Sequence, residues 1–150
     1  MEEGPLYGIL VHAHSGIRWI VLILLIAAIA QAFSKRNSEI QFNKETGKVA
    51  LFAFIATHIQ LVIGLILYLI SPRVQFVENT MSDAVLRFHA VEHISTMILG
   101  IILITVGYSK AKRSGSFNTI FWMYLIGLIL ILSRIPWPIG PFAKYGGGWF

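Results

Sequence analysis

The apolar residues of this chain fall into four long runs separated by short polar loops. No formal charge interrupts Val49 to Pro72 or Ser114 to Ser133, and the other two runs enclose Arg18 and Glu92. A helix needs about 20 mostly apolar residues to cross a bilayer. The pattern therefore predicts an all-α integral membrane protein with spans at roughly 9–33, 49–71, 81–109 and 116–135. Short connections between four spans imply an up-down-up-down four-helix bundle forming a single transmembrane domain over residues 1–150. Asn43 is placed to cap the second helix. Thr80-Met81-Ser82-Asp83 has the form of a capping box and predicts that the third helix starts near Met81.

Charge gives the bundle a direction. Lys35, Arg36, Lys44 and Lys48 follow the first span, and Lys110, Lys112 and Arg113 follow the third. The positive-inside rule puts both loops in the cytoplasm and both termini on the outer, periplasmic side. The leader Met1-Glu2-Glu3 is acidic where a secretory signal is basic, so the first span is expected to be retained. The tail 136–150 holds three prolines, then a Gly-rich aromatic end. It cannot stay helical and is expected to lie at the headgroups, with docking on a partner subunit as the alternative.

The composition agrees: 56% of the 150 residues are hydrophobic and 13% charged. Cysteine is absent, which excludes disulfides, iron–sulfur clusters, covalently attached haem and thiolate zinc sites. The net charge of +5 resides largely in loops, where membrane topology explains it without nucleic acid.

Against this apolar background stand four histidines on three spans: His14, His58, His89 and His93. A polar ring within a bilayer is costly without a partner and marks a functional site. With a rise of about 1.5 Å per residue, His14 and His89 fall about 12 Å outside the midplane, His93 about 6 Å outside it and His58 about 3 Å inside it. On this ruler His14 with His89 is the better-matched axial pair for a haem, while His58 with His93 needs tilt to close its gap. One haem or two remain open alternatives. Arg18 and Glu92 share a depth and could pair, or Arg18 could hold a haem propionate through its planar fork. His12 points away from His14 and is expected to face water or headgroups. Gly64, Gly100 and Gly107 suit close helix approach, with clearance for a macrocycle as the alternative at Gly100.

His89-Ala90-Val91-Glu92-His93 also fits H-x-x-E-H, the inverted zinc-hydrolase motif. A catalytic zinc needs a third protein ligand, and no Asp or Glu follows Glu92. A cofactor-free accessory subunit, with its histidines merely hydrogen-bonded between helices, is the other alternative.

The stretches His14-Ser15-Gly16-Ile17-Arg18-Trp19, His58-Ile59-Gln60-Leu61 with Gly64 and Tyr68, Arg87 to His93, and Ile135-Pro136-Trp137-Pro138 resemble short bacterial four-span membrane proteins labelled cytochrome b or cytochrome b-like. The resemblance implies b-type haem on the histidines of the first three spans. It also implies electron transfer in or near a respiratory complex of the bacterial inner membrane. Quinone, other membrane subunits or a second copy of the chain are the candidate partners.

Overall fold

The computed structural model describes residues 5–149. The leader Met1-Glu2-Glu3 and the terminal Phe150 lie outside the described residues. Four helices carry the chain: α1 (Pro5–Lys35), α2 (Lys48–Ile70), α3 (Ala84–Ser114) and α4 (Phe117–Ser133). Each packs against its sequence neighbours, and α1 closes the ring against α4. The first three are long and apolar enough to cross a membrane, and α4 is shorter at 17 residues. No strand occurs among the described residues.

Helix ends follow local chemistry. Asp83, rather than Thr80, caps α3, because its carboxylate accepts from the Val85 and Leu86 amides at 2.8 and 2.9 Å. The Thr80 hydroxyl is already engaged, accepting from Val77 and donating to the Gln75 carbonyl. The expected start at Met81 is thus moved to Ala84. The far end of α3 runs on to Ser114, where Gly115 takes the left-handed conformation (φ 69°) that ends helices cheaply. Asn43 caps a turn that leads into α2, accepting from Glu45 and Thr46, and the helix proper opens at Lys48.

Inside lipid no hydrophobic force favours helix over tail, so close packing and internal hydrogen bonds must hold the bundle. Ala28 and Ala32 of α1 and Ala50 and Ala53 of α2 are buried in the core with Leu25, Ile104 and Ile120. A Cβ on Gly127 would lie 3.0 Å from the Gly100 carbonyl oxygen, and one on Gly107 would lie 2.6 Å from Met123 Cβ. Gly100 and Gly107 therefore bring α3 against α4, and the proposed macrocycle clearance at Gly100 is not needed. The one fully buried tyrosine, Tyr124, donates to the Ala50 carbonyl at 2.9 Å. Large apolar side chains such as Ile20, Ile23, Leu69 and Ile129 face outward, as a lipid-solvated surface requires.

The two ends of the bundle differ. The end formed by the α1–α2 and α3–α4 turns is basic. It is closed by Phe42, whose amide donates to Gly115 and whose ring packs edge-on against Phe117 and Tyr108. The other end is open between helices and is crossed by the tail.

Candidate functional site

Helix α1 presents His14 and Arg18 on one face, a single turn apart. Helix α2 opposes them with Gln60, Gly64 and Tyr68. Helix α3 contributes Phe88 and His89 from a π-helical turn, Phe88–Glu92, that interrupts its α-helical ladder, and His93 from the position directly after it. Such turns are frequent at functional sites. The Tyr68 hydroxyl donates to the Ala90 carbonyl within this turn at 2.8 Å. Together these residues line a cavity of about 240 Å³ at the open end of the bundle.

The histidines take different places. His14 and His93 meet across the cavity with ring centres 6.4 Å apart and planes at 70°. His93 Nδ1 lies 2.7 Å from the Arg134 carbonyl oxygen. A carbonyl only accepts, so Nδ1 carries the proton and the lone pair of Nε2 remains free for a metal. His89 lines the same cavity, but its Nε2 donates to the Tyr145 carbonyl at 2.9 Å. His58 is no part of the cavity wall: its Nδ1 donates to Phe54, its Nε2 meets the Thr105 hydroxyl at 3.2 Å, and its ring packs on Phe54. The pair brought together is thus His14 with His93, not His14 with His89. The depth ruler failed through its helix boundaries. With their observed ends, α1 and α3 each have 31 residues, with middles at Ile20 and Leu99. His14 and His93 each precede that middle by six.

Arg18 and Glu92 do not pair. Glu92 binds Arg87 at 2.8 Å and approaches Arg134 at 3.8 Å. Arg18, 8% exposed, donates from Nη2 to the carbonyls of Gly148 and Trp149 at 2.8 and 3.0 Å, with its guanidinium over Trp19 and Trp137. Its partner is the tail, which folds back over the cavity. Tyr145 stacks on Phe88 at 3.9 Å, Arg73 holds the Gly146 carbonyl, and Trp149 stacks on Trp19. The glycines are a steric requirement: Gly146 has φ 68°, and a Cβ on Gly147 would lie 1.7 Å from the Pro136 carbonyl oxygen.

A b-type haem can be tested against this arrangement. An imidazole nitrogen sits about 2 Å from a first-row metal, which puts the centres of two rings sharing one ion about 6 Å apart. The His14–His93 separation fits. Gly64 keeps the space open, since a Cβ there would stand 3.0 Å from His14 Cε1. Three buried polar atoms at this place, His14 Nδ1, Arg18 Nε and Gln60 Oε1, have no protein partner among the described residues. The residues therefore fit the group. A zinc centre fares worse: among the described residues no three His, Asp or Glu side chains converge, and Glu92 is committed to two arginines.

Apolar helices around a histidine-lined cavity define a multi-pass membrane protein of the cytochrome b type. Residues 8–114 match the family described as eukaryotic cytochrome b561, and the chain belongs to that family of membrane haem-binding electron-transfer proteins. No curated protein and no solved structure matches the chain significantly.

Gln60, Tyr68, Gly127 and the tail carbonyls escaped the sequence reading as contributors to packing or to the site. Gln60 alone carried a signal, a polar amide in the middle of an uncharged run.

Proposed function

We propose that the chain holds one haem b between α1, α2 and α3, with His14 and His93 as its axial ligands, and that it passes single electrons near the outer face of a membrane. The observation that carries this reading is the approach of these two rings across a cavity, with His93 Nδ1 already anchored on a backbone carbonyl. When bound, the haem supplies the one-electron redox couple. The chain contributes two imidazoles on separate rigid helices. It also supplies an apolar wall and, in Arg18, a buried cation suited to a propionate. His58, satisfied by Phe54 and Thr105, is assigned a structural role.

Seven of the lysines and arginines lie at the closed end of the bundle and four at the open end, with Arg18 within it. By the positive-inside rule this distribution supports a cytoplasmic closed end and a cavity on the outer side. The wider setting proposed is a four-span protein of a bacterial inner membrane, exchanging electrons with quinone or a partner subunit.

The test is the absorption spectrum of protein purified from haem-replete cells, with haem counted per chain. One haem, a sharp reduced α-band, and loss of both in His93→Ala support the reading. A colourless protein rejects it in favour of an accessory subunit without cofactor. Two haems per chain reject the single-site assignment.

A further inference from the structure

The two imidazoles at the cavity are not equally supported. His93 has an acceptor for its Nδ1 proton, the Arg134 carbonyl at 2.7 Å. His14 has none: its Nδ1 is buried and unpartnered among the described residues. A histidine that binds a metal through Nε2 carries its proton on Nδ1 and almost always donates it to an oxygen acceptor, which fixes the ring and raises its basicity. A bare Nδ1–H inside a bilayer is therefore a missing partner.

One acceptor at the site is equally bare. Gln60 Oε1 is buried without a donor. The same amide is tethered to His14 itself, since Gln60 Nε2 donates to the His14 backbone carbonyl at 2.8 Å. An orphan donor and an orphan acceptor thus belong to two residues already joined by a hydrogen bond. Gly64, one turn further along α2 from Gln60, leaves the room in which the His14 ring can turn. Arg18 Nε is the third orphan, one turn along α1, and it can only donate. It is thus no alternative acceptor for His14, but it can help to hold a water between the two residues.

We propose that Gln60 is the positioning residue for His14: its Oε1 accepts the His14 Nδ1 proton, directly or through one water. It thereby fixes the Nε2-ligating tautomer and sets the donor strength of that axial ligand. This rests on the haem reading above. A stronger imidazole donor favours ferric over ferrous iron, so the Gln60 acceptor lowers the midpoint potential. Its removal leaves ligation possible but weakens the donor.

The experiment compares wild-type protein with Gln60→Leu and Gln60→Glu in detergent. It measures haem content, redox midpoint and the low-temperature electron paramagnetic resonance of the ferric form. Gln60→Leu is expected to retain haem and to shift its potential upward. A partner of this kind is worth about tenfold, and a tenfold change in ferric preference is 59 mV for one electron. Gln60→Glu keeps an acceptor, and its potential is expected at or below the wild-type value. Changed ferric resonances in Gln60→Leu, returning toward wild type in Gln60→Glu, support an effect on the ligand. Haem-loaded Gln60→Leu with wild-type potential and resonances overturns the proposal and leaves the haem reading intact. Equal upward shifts in both variants also overturn it, because a structural disturbance would not distinguish them. Wild-type protein without haem instead overturns the reading on which it rests.

Discussion

The substitution Gly64→Ala separates the stability of the bundle from the fitness of its site. The added methyl would stand 3.0 Å from His14 Cε1 and 3.6 Å from His14 Nδ1, with no other neighbour within 4 Å besides the same ring's Nε2. It would thus touch His14 alone, and the ring must retreat by a few tenths of an ångström. Overpacking of this kind costs about 1–3 kcal/mol, here concentrated on one candidate ligand. Opposing it, replacing a helix-interior glycine by alanine favours the helix by about 1 kcal/mol. The bundle should therefore lose no more than about 2 kcal/mol of stability. A cofactor that needs His14 in place would lose most of the 1–3 kcal/mol, about 5- to 150-fold in affinity.

The assay is haemin titration of apo-protein in detergent, followed by the Soret band, beside thermal melting of the apo form. Two controls locate the effect. Gly8→Ala has the same propensity gain and nothing within 4 Å of its new methyl, so its haem affinity should match wild type. Gly100→Ala would meet Ile131 Cγ1 at 3.0 Å and the Gly127 carbonyl at 3.2 Å, so it should lower the melting temperature instead. Wild-type haem affinity in Gly64→Ala, or an equal loss in Gly8→Ala, would refute the placement of His14 beside the cofactor.

His14→Ala and His93→Ala should each abolish stoichiometric haem binding while His58→Ala keeps it; pyridine haemochrome counts decide, and haem loss in His58→Ala would contradict the structural role given to that residue. Tyr124→Phe removes a buried hydrogen bond to Ala50 and should cost about 1 kcal/mol in bundle stability, read by denaturation of the detergent-solubilised protein, with the haem spectrum unchanged. Glu92→Gln weakens ion pairs whose side chains are roughly a third exposed. Less than about 1 kcal/mol should be lost, and a complete loss of folding would show that Glu92 is doing something else.

Much of the fold was legible because a bilayer leaves few alternatives: long uncharged runs must be helices, and short loops make consecutive helices neighbours. His14, His93 and Arg18 were legible for the same reason, as polar groups that lipid does not tolerate unpartnered. What was illegible depended on contacts between distant parts of the chain. Glu92 could not be separated from Arg18 by depth alone, since the arginines that hold it, Arg87 and Arg134, come from the first turn of α3 and from the end of α4. The pairing of His14 with His93 needed the true ends of α1 and α3, because α1 begins at Pro5 and α3 runs from Ala84 to Ser114. The π-turn over Phe88–Glu92 leaves no mark in the spacing of apolar residues.

The tail shows why such a protein needs its irregular segments. Carbonyls inside a helix each already accept one ladder bond, so a buried guanidinium is better served by backbone outside it. Arg18 at 8% exposure therefore needs oxygen from elsewhere, and the non-helical backbone at Gly148 and Trp149 provides it. A short 3-10 helix, Gly140–Tyr145, forms in the tail despite its prolines and ends at the left-handed Gly146, which frees the backbone beyond it; the absent side chains at Gly146 and Gly147 let that backbone pass close to Arg73 and Pro136. A propionate would offer Arg18 the same kind of oxygen. Haem-free and haem-bound protein should therefore differ in how the tail is held, and limited proteolysis of the 137–149 segment reads that difference. More rapid cleavage in the haem-bound form supports exchange of the carbonyls for a propionate. Equal or slower cleavage would mean that Arg18 keeps its backbone partners and that the tail is a permanent wall of the site.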